Sequence, residues 1–273
     1  MERCKRTTDD PLLKAFLDTY HLNLLAVPRE KSQVGDLYVY SGGRTSSPGH
    51  IAEFLEPRLQ LPMIAKDEQM ADVQGKFTGA VSFSTGVELL EGFFAALGHP
   101  AIFQKIKLEY SRQKTHSFQF SFLKPLRDAV DVGVMGSRLI RHRFKKQHAL
   151  VNEGNRYYLV TATAKSKNLT VNAQSKSRAN IELDGKALGL ANATNKVRME
   201  KSGDGSITFS GSIPLVFGVE LYELSYDQDE DKLKMTLPDG AIKVRSGLGG
   251  PEEMPIQPAF IGGDSGDVFF HLE

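Results

Sequence analysis

Ile213-Pro214-Leu215-Val216-Phe217-Gly218-Val219-Glu220-Leu221 sets an apolar side chain at every second position. Successive side chains of a strand point to opposite sides, so Ile213, Leu215, Phe217, Val219 and Leu221 share one face of an extended chain. Pro214 has no N–H to donate, which places it at an edge or at a strand start. The same period of two recurs upstream. Phe118, Phe120 and Phe122 alternate with Ser117, Gln119 and Ser121. Leu169, Val171 and Ala173 alternate with Asn168, Thr170 and Asn172. Phe77, Gly79, Val81 and Phe83 oppose Thr78, Ala80, Ser82 and Ser84, and Tyr157–Ser166, with Tyr158 and Val160, carries the pattern in part. Val34–Tyr40 reads as a shorter strand, followed by a Gly- and Ser-rich loop from Ser41 to Gly49 that Pro48 closes. Two hairpins are predicted: Val197 and Met199 with Ile207 and Phe209 across Gly203-Asp204-Gly205, and Leu233, Met235 and Leu237 with Ile242 and Val244 across Pro238-Asp239-Gly240.

Helices are predicted around these strands. Asp9 or Asp10 can cap one, Pro11 suits its first turn, and Leu12, Leu13, Phe16, Leu17 and Tyr20 form its apolar stripe. Val87 to Leu97 repeats apolar residues at helical spacing and stops at Gly98. Asn180–Ala191 is compatible with either a strand or a helix. The expected class is α+β: a twisted, mainly antiparallel central sheet with surrounding helices.

Composition narrows the function. The chain has 273 residues, enough for a sizeable core, and a net charge of +1, which argues against a polyanion binder. It contains no apolar run of the roughly 18 or more residues that a transmembrane helix needs. The opening Met1-Glu2-Arg3-Cys4-Lys5-Arg6 is polar and reads as no secretory leader. Cys4 is the single cysteine, so an internal disulfide or a cysteine-based metal cluster is excluded. The expectation is a cytoplasmic protein without cofactor or metal.

Charge is unevenly placed. Ser246–Glu273 holds five acids and neither Lys nor Arg, a charge of −5, which leaves +6 on the remainder. Ser246–Pro258 is broken by Gly247, Gly249, Gly250, Pro251, Pro255 and Pro258, and reads as an exposed linker. Beyond it, Phe260, Ile261, Phe269, Phe270 and Leu272 are too apolar for a free tail and are expected to dock on the body. The predicted domains are therefore a body, 1–245, and a linker with a sticky acidic tail, 246–273.

Motifs for catalysis fail on context. Gly263-Asp264-Ser265-Gly266 spells the segment around the nucleophile of trypsin-like proteases, but only eight residues follow Ser265 and Asp267 replaces the usual glycine. His142 and His148 are six apart, a poor spacing for a metal pair. No phosphate loop or metalloprotease helix is present, and the chain is read as no enzyme. Arg138, Arg141, Arg143, Lys145 and Lys146 form a basic cluster with Leu139, Ile140 and Phe144 interspersed. Such a segment suits a membrane surface better than a groove for nucleic acid, and it is also compatible with a binding module for acidic polymers. Cys4 lies among Arg3, Lys5 and Arg6, which lower a thiol pKa and make S-acylation chemically reasonable.

Three segments together resemble the gasdermins, the bacterial branch in particular. Leu22-Asn23-Leu24-Leu25-Ala26-Val27-Pro28-Arg29 with Val34-Gly35-Asp36-Leu37-Tyr38 resembles the start of that family's pore-forming domain. Arg156-Tyr157-Tyr158-Leu159-Val160-Thr161-Ala162 resembles its strand leading into an amphipathic hairpin, and Ile213–Leu221 its late core strand. Animal members carry a whole inhibitory domain at the C-terminus, whereas only a short tail is present here, as in short-tailed bacterial members. The resemblance implies an autoinhibited pore-former. A protease, caspase-like in many members, would cut near Arg245, Gly247, Leu248, Gly249 and Gly250. The freed body would assemble with copies of itself among inner-membrane lipids as a large β-barrel and kill the cell in anti-phage defence. It implies a palmitoyl chain on Cys4. The strands expected to insert carry Phe77, Val81, Phe83, Phe118, Phe120, Phe122, Tyr158, Val160, Leu169 and Val171.

Overall fold

The computed structural model describes residues 22–29, 31–41, 44–70, 81–145, 155–175, 197–203, 206–227, 229 and 232–235. In chain order these form β1 (Asn23–Arg29), β2 (Asp36–Ser41), β3 (Arg44–His50), a 3-10 turn (Ile51–Glu53), β4 (Leu55–Glu56), β5 (Ile64–Gln69) and β6 (Val81–Ser82). Then come α1 (Phe83–Ala96), α2 (Pro100–Arg112), β7 (Thr115–Leu123), β8 (Leu126–Val130), α3 (Val132–Leu139) and β9 (Arg143–Phe144). The last are β10 (Arg156–Ser175), β11 (Val197–Lys201), β12 (Ile207–Asp227) and β13 (Lys232–Met235).

Two long strands form the spine of a 13-stranded sheet. β10 and β12 pair antiparallel from Tyr157↔Leu224 to Val171↔Ile207. With 20 and 21 residues, each extends about 65–70 Å at roughly 3.3 Å per residue. Such length is possible because the alternation is interrupted only locally, at register shifts between Val160 and Ala162, Ala164 and Lys165, and Ser166 and Asn168. Shorter strands succeed one another along each flank. β2, β8 and β7 lie in turn beside β10. β13, β1 and β11 lie in turn beside β12. The fold is α+β, and the described strand pairs are antiparallel.

Helices close one face. α1 buries Val87, Leu90, Phe93 and Phe94, and Leu97 packs with them. Gly98 then adopts φ +77° and ends the run, a conformation open to glycine. Pro100, whose fixed φ suits a first turn, starts α2, which buries Phe103, Ile106 and Tyr110 at helical spacing. Asp131 caps α3 by accepting from the Val134 N–H at 2.8 Å.

Several expectations change. Ser41–Gly49 is not a loop: Arg44–His50 forms β3. Pro48 is tolerated because β3 is the terminal strand of its side of the sheet and its pairing with β2 is irregular between Leu37 and Val39. Phe83 does not extend a strand but opens α1, so the strand there shrinks to Val81–Ser82. The helical period set from Val87 onward propagates back through it, since each added residue gains a backbone bond once the helix is nucleated. The alternating stretches 157–166 and 168–174 are one strand. β13 pairs with β12 and β9; its expected partners Ile242 and Val244 lie outside the described residues. So do the predicted helices at 9–20 and 180–191, Cys4, Phe77, Lys146 and everything from 236 onward.

Candidate membrane-inserting sheet

The apolar faces of β7, β10 and β12 align in rows. Phe122 is opposite Leu169, which is opposite Phe209; Phe120 is opposite Val171, which is opposite Ile207. Residues directly opposite across antiparallel strands lie on one face. All six are buried in the largest core cluster, together with Phe118, Ala173 and Phe217. Phe122 stacks on Phe217 with ring centroids 3.8 Å apart.

What covers this face is α1 and α2. Phe94 of α1 meets Phe209 of β12 edge-on at 5.1 Å. Tyr110 of α2 meets Phe118 of β7 edge-on at 5.0 Å. Burial pushes the Tyr110 phenol well above its ordinary pKa, and its hydroxyl has no hydrogen-bond partner among the described residues. The contact is therefore held by apolar burial, roughly 1.5–3 kcal/mol for each large side chain removed from water. Of the residues singled out in sequence, Phe118, Phe120, Phe122, Leu169 and Val171 come together here. Tyr158 and Val160 do not: they pack in a separate cluster with Leu25, Tyr38 and Val219. The register shifts between Val160 and Asn168 separate the two groups, because each bulge resets which face a residue meets.

Two charge clusters that periodicity did not reveal tie the sheet across its strands. Arg127 of β8 donates to Glu220 Oε2 of β12 at 2.8 Å, and the Thr161 hydroxyl of β10 donates to Glu220 Oε1 at 3.2 Å. Lys165 of β10 donates to Asp128 of β8 at 2.7 Å and pairs with Asp67 of β5 at 2.9 Å. Asp67, at φ +56°, in turn donates its N–H to Asp128 Oδ1. β5 is thus held at the edge of β8 partly by ions. Burial alone would lower the Lys165 pKa, but the hydrogen bonds to Asp128 and Asp67 outweigh it and hold the ammonium above its usual 10.5. A base whose pKa rises on folding stabilises fully below its unfolded value and loses that contribution as pH climbs through the folded value. The stability difference between the parent and Lys165→Met should therefore be constant at neutral pH and shrink above about pH 10.5. Urea titrations of both proteins at stepped pH measure it.

The basic cluster is differently employed than its composition suggests. Arg138 donates to the carbonyls of Gln60 and Leu61 at 2.7 and 3.0 Å. The Lys145 ammonium donates to the Glu53 carbonyl at 2.6 Å. Arg143 lies 3.8 Å from Glu56, and Arg141 is exposed. Leu139 and Phe144, expected at a membrane surface, are instead core residues, each no more than 1% exposed; Ile140 alone of the three is exposed, at 53%. α3 and β9 turn two of three apolar side chains inward because they pack against β13 and the 51–59 segment. The cluster pins that segment to the body.

Among the described residues, no helix is long and apolar enough to cross a membrane. The apolar rows of β7, β10 and β12 are carried by strands. The sequence profile of the Bacterial Gasdermin Family matches residues 22–232. "Gasdermin bGSDM" of Vitiosangium sp. is 26% identical over 260 residues, covering 92% of this chain and 94% of that protein. Its counterpart from Bradyrhizobium tropiciagri is 24% identical over 269 residues, covering 96% of each. The solved structure of a bacterial gasdermin from Bradyrhizobium tropiciagri superposes with a TM-score of 0.66 at 21% identity, over 99% of both chains.

Proposed function

Since the chain belongs to the bacterial gasdermin family, we propose that it is an autoinhibited pore-former that inserts the β7–β10–β12 sheet into a membrane after its C-terminal tail is removed. The observation that carries this reading is the apolar face of Phe122, Leu169, Phe209, Phe120, Val171 and Ile207, prebuilt on long paired strands and covered by two helices. A bilayer accepts strands only in closed barrels with an apolar outside, and a spanning strand needs about 9–11 residues. β10 and β12 are twice that long. Displacing α1 and α2 exposes a surface that lipid satisfies as well as the helices do.

In this reading the tail, with Phe260, Ile261, Phe269, Phe270 and Leu272, keeps the body closed. A caspase-like protease cuts the linker around Arg245–Gly250. Removal of five acids leaves a body of charge +6, drawn to anionic lipid. An acyl chain on Cys4, palmitoyl by the family's pattern, adds about 0.8 kcal/mol per buried methylene toward the membrane. The cut bodies close into a large homo-oligomeric barrel in the inner membrane, and the cell dies, which stops an infecting phage. No enzymatic step is required of this chain.

Dye-loaded liposomes test the proposal. A protease site is placed within Gly247–Gly250 of the full chain. Release on adding protease, with none before, is expected. Sealed vesicles after complete cleavage would sink it.

A further inference from the structure

The spine of the sheet is interrupted along one line that crosses it from β7 to β12. Against β10, the ladder of β7 breaks off at Leu123, opposite Asn168, and resumes in β8 at Leu126, opposite Lys165. Between them Lys124 turns with φ +49°. On β10 the same level falls at Ser166 and Lys167. On β12 it falls between Ser210, opposite Asn168, and Leu215, opposite Ser166, where Gly211-Ser212-Ile213-Pro214 meet the single residue Lys167. Pro214 suits such a place, because it has no N–H to give to a ladder. Extra residues in one strand of a pair bend it. The bend shows in one contact. Phe122 of β7 and Phe217 of β12 lie on either side of the line, with β10 between their strands. Phe122 stands at the level of Leu169 of β10, and Phe217 between the levels of Ala164 and Lys165. On a flat sheet that is about 10 Å across the strands and ~15 Å along them. Their rings nevertheless stack 3.8 Å apart, within 5° of parallel. The sheet is creased there.

We propose that this crease is a hinge, and that the half of the sheet carrying Phe120, Phe122, Leu169 and Val171 swings on it out of its resting bend as it enters the membrane. The hinge rests on the pore-forming reading above and locates the motion in the chain. A strand in a closed barrel keeps its backbone groups paired along the whole membrane span. A sheet broken along this line has to straighten there first. Two features hold the bend. The first is Ser166, which is 5% exposed. Its hydroxyl donates to the Leu123 carbonyl at 2.8 Å, accepts the Asn168 N–H at 3.0 Å and lies 3.0 Å from the Asn168 carbonyl. One side chain thus ties β7 to β10 at the place where their ladder stops. The second is α1. It packs on β1, which borders β12 at Val216–Val219, and through Phe94 on Phe209 beyond the line. Leu97, just past the end of α1, sits directly over the crease: a Cβ on Gly211 would stand 3.0 Å from it. α1 therefore splints the crease, and once it leaves, Ser166 is the catch that remains.

The test is the rate of dye release from liposomes after the full chain, carrying the protease site in Gly247–Gly250, has been cleaved to completion. Ser166→Ala cuts the catch and should release dye about three- to tenfold faster than the parent, the range that one lost hydrogen bond gives. Ser166→Thr keeps the hydroxyl and should return to the parent rate. Leu233→Ala, in the separate cluster beneath α3, costs more stability but should not speed release. Deleting Ser212 and Ile213 together preserves the alternation of faces and takes up slack in β12; it should slow release several-fold. Should that deletion fail to fold, the two Ser166 variants still decide. Hydrogen exchange on the uncleaved chain reads the crease without a membrane: peptides over 164–168 and 209–216 should open more readily than those over 157–163. Equal rates for the parent and Ser166→Ala, acceleration by Leu233→Ala as large as that by Ser166→Ala, or even protection across the line would overturn the hinge and leave the pore standing. A cleaved parent that releases no dye would instead refute the pore-forming reading, and the hinge with it.

Discussion

Phe94→Ala should lower the free energy of unfolding by about 3–5 kcal/mol, the range for removing a large buried aromatic and leaving a cavity. Phe94 is fully buried and touches Phe209 of β12 and Phe93 of its own helix at ring distances of 5.1 and 5.6 Å. No polar bond of its side chain is at stake, so the loss is one of apolar burial and packing. Its location gives the substitution a second consequence. In the proposed mechanism the helix of Phe94 leaves the sheet before insertion, and the variant would then favour the open sheet over the closed one. The uncleaved variant should release liposome dye faster than the uncleaved parent. Leu233→Ala serves as the control, since Leu233 is equally buried but lies in the cluster beneath α3, away from the face that α1 and α2 cover. Urea titration and dye release on the three full-length proteins make the comparison. Equal leakage from Phe94→Ala and Leu233→Ala at similar loss of stability would mean that general unfolding, and not release of α1, opens the protein.

Arg127→Met should destabilise by about 2 kcal/mol, less than the 3–5 kcal/mol of a fully buried pair. Glu220 is 7% exposed, and its carboxylate holds Arg127 at 2.8 Å and Thr161 at 3.2 Å. Loss of the guanidinium strands that charge inside the sheet. The discount reflects the Arg127 side chain, which is 37% exposed and lets solvent screen the pair. Arg127→Met combined with Glu220→Gln removes the charge as well as its partner and should recover much of the loss. A double-mutant cycle by urea unfolding reads the coupling directly. Strictly additive single substitutions would show that the two groups do not interact. Beyond the pair itself, the measurement tells what holds β8 to the spine, since Arg127 spans β10 to reach β12.

The comparison of sequence with structure divides along physical lines. Strands with one apolar and one polar face were legible wherever the period of two ran uninterrupted, as at Phe118–Phe122 and Leu169–Ala173. The row read from Ile213 to Leu221 is not one face, because the register shift at Phe217 leaves Leu215 and Phe217 in the cluster under the helices and puts Val219 and Leu221 with Val216 in the cluster of Tyr158 and Val160. The hairpin of Met199 with Phe209 was legible because alternating apolar residues bracket a Gly-Asp-Gly turn, and the structure pairs those two residues. The resemblance carried by Leu22–Arg29, Arg156–Ala162 and Ile213–Leu221 pointed to the family that the profile match over residues 22–232 establishes. Phe83 was misread because a strand's last apolar residue and a helix's first look alike when each is seen only with its neighbours. β3 was missed because Arg44-Thr45-Ser46-Ser47-Pro48-Gly49-His50 has the residues of a loop. It becomes a strand only because β2 presents it with a ladder to pair with.

By itself, then, the sequence determined the local properties: which stretches extend, where α1 stops, which faces are apolar, and that charge is parted between body and tail. Each follows from the order of side chains over a few residues. Tertiary structure alone decided the alignment of Phe122, Leu169 and Phe209 in one row, their covering by α1 and α2, and the exclusion of Tyr158 and Val160 from that face by three register shifts. It also decided that Leu139 and Phe144 point inward and that Arg127 meets Glu220, 93 residues away. The reason is the same in each case. Register, bulges and the partners of a buried charge are set by which strands meet, and that depends on the free energy of the whole sheet rather than on any one segment of it.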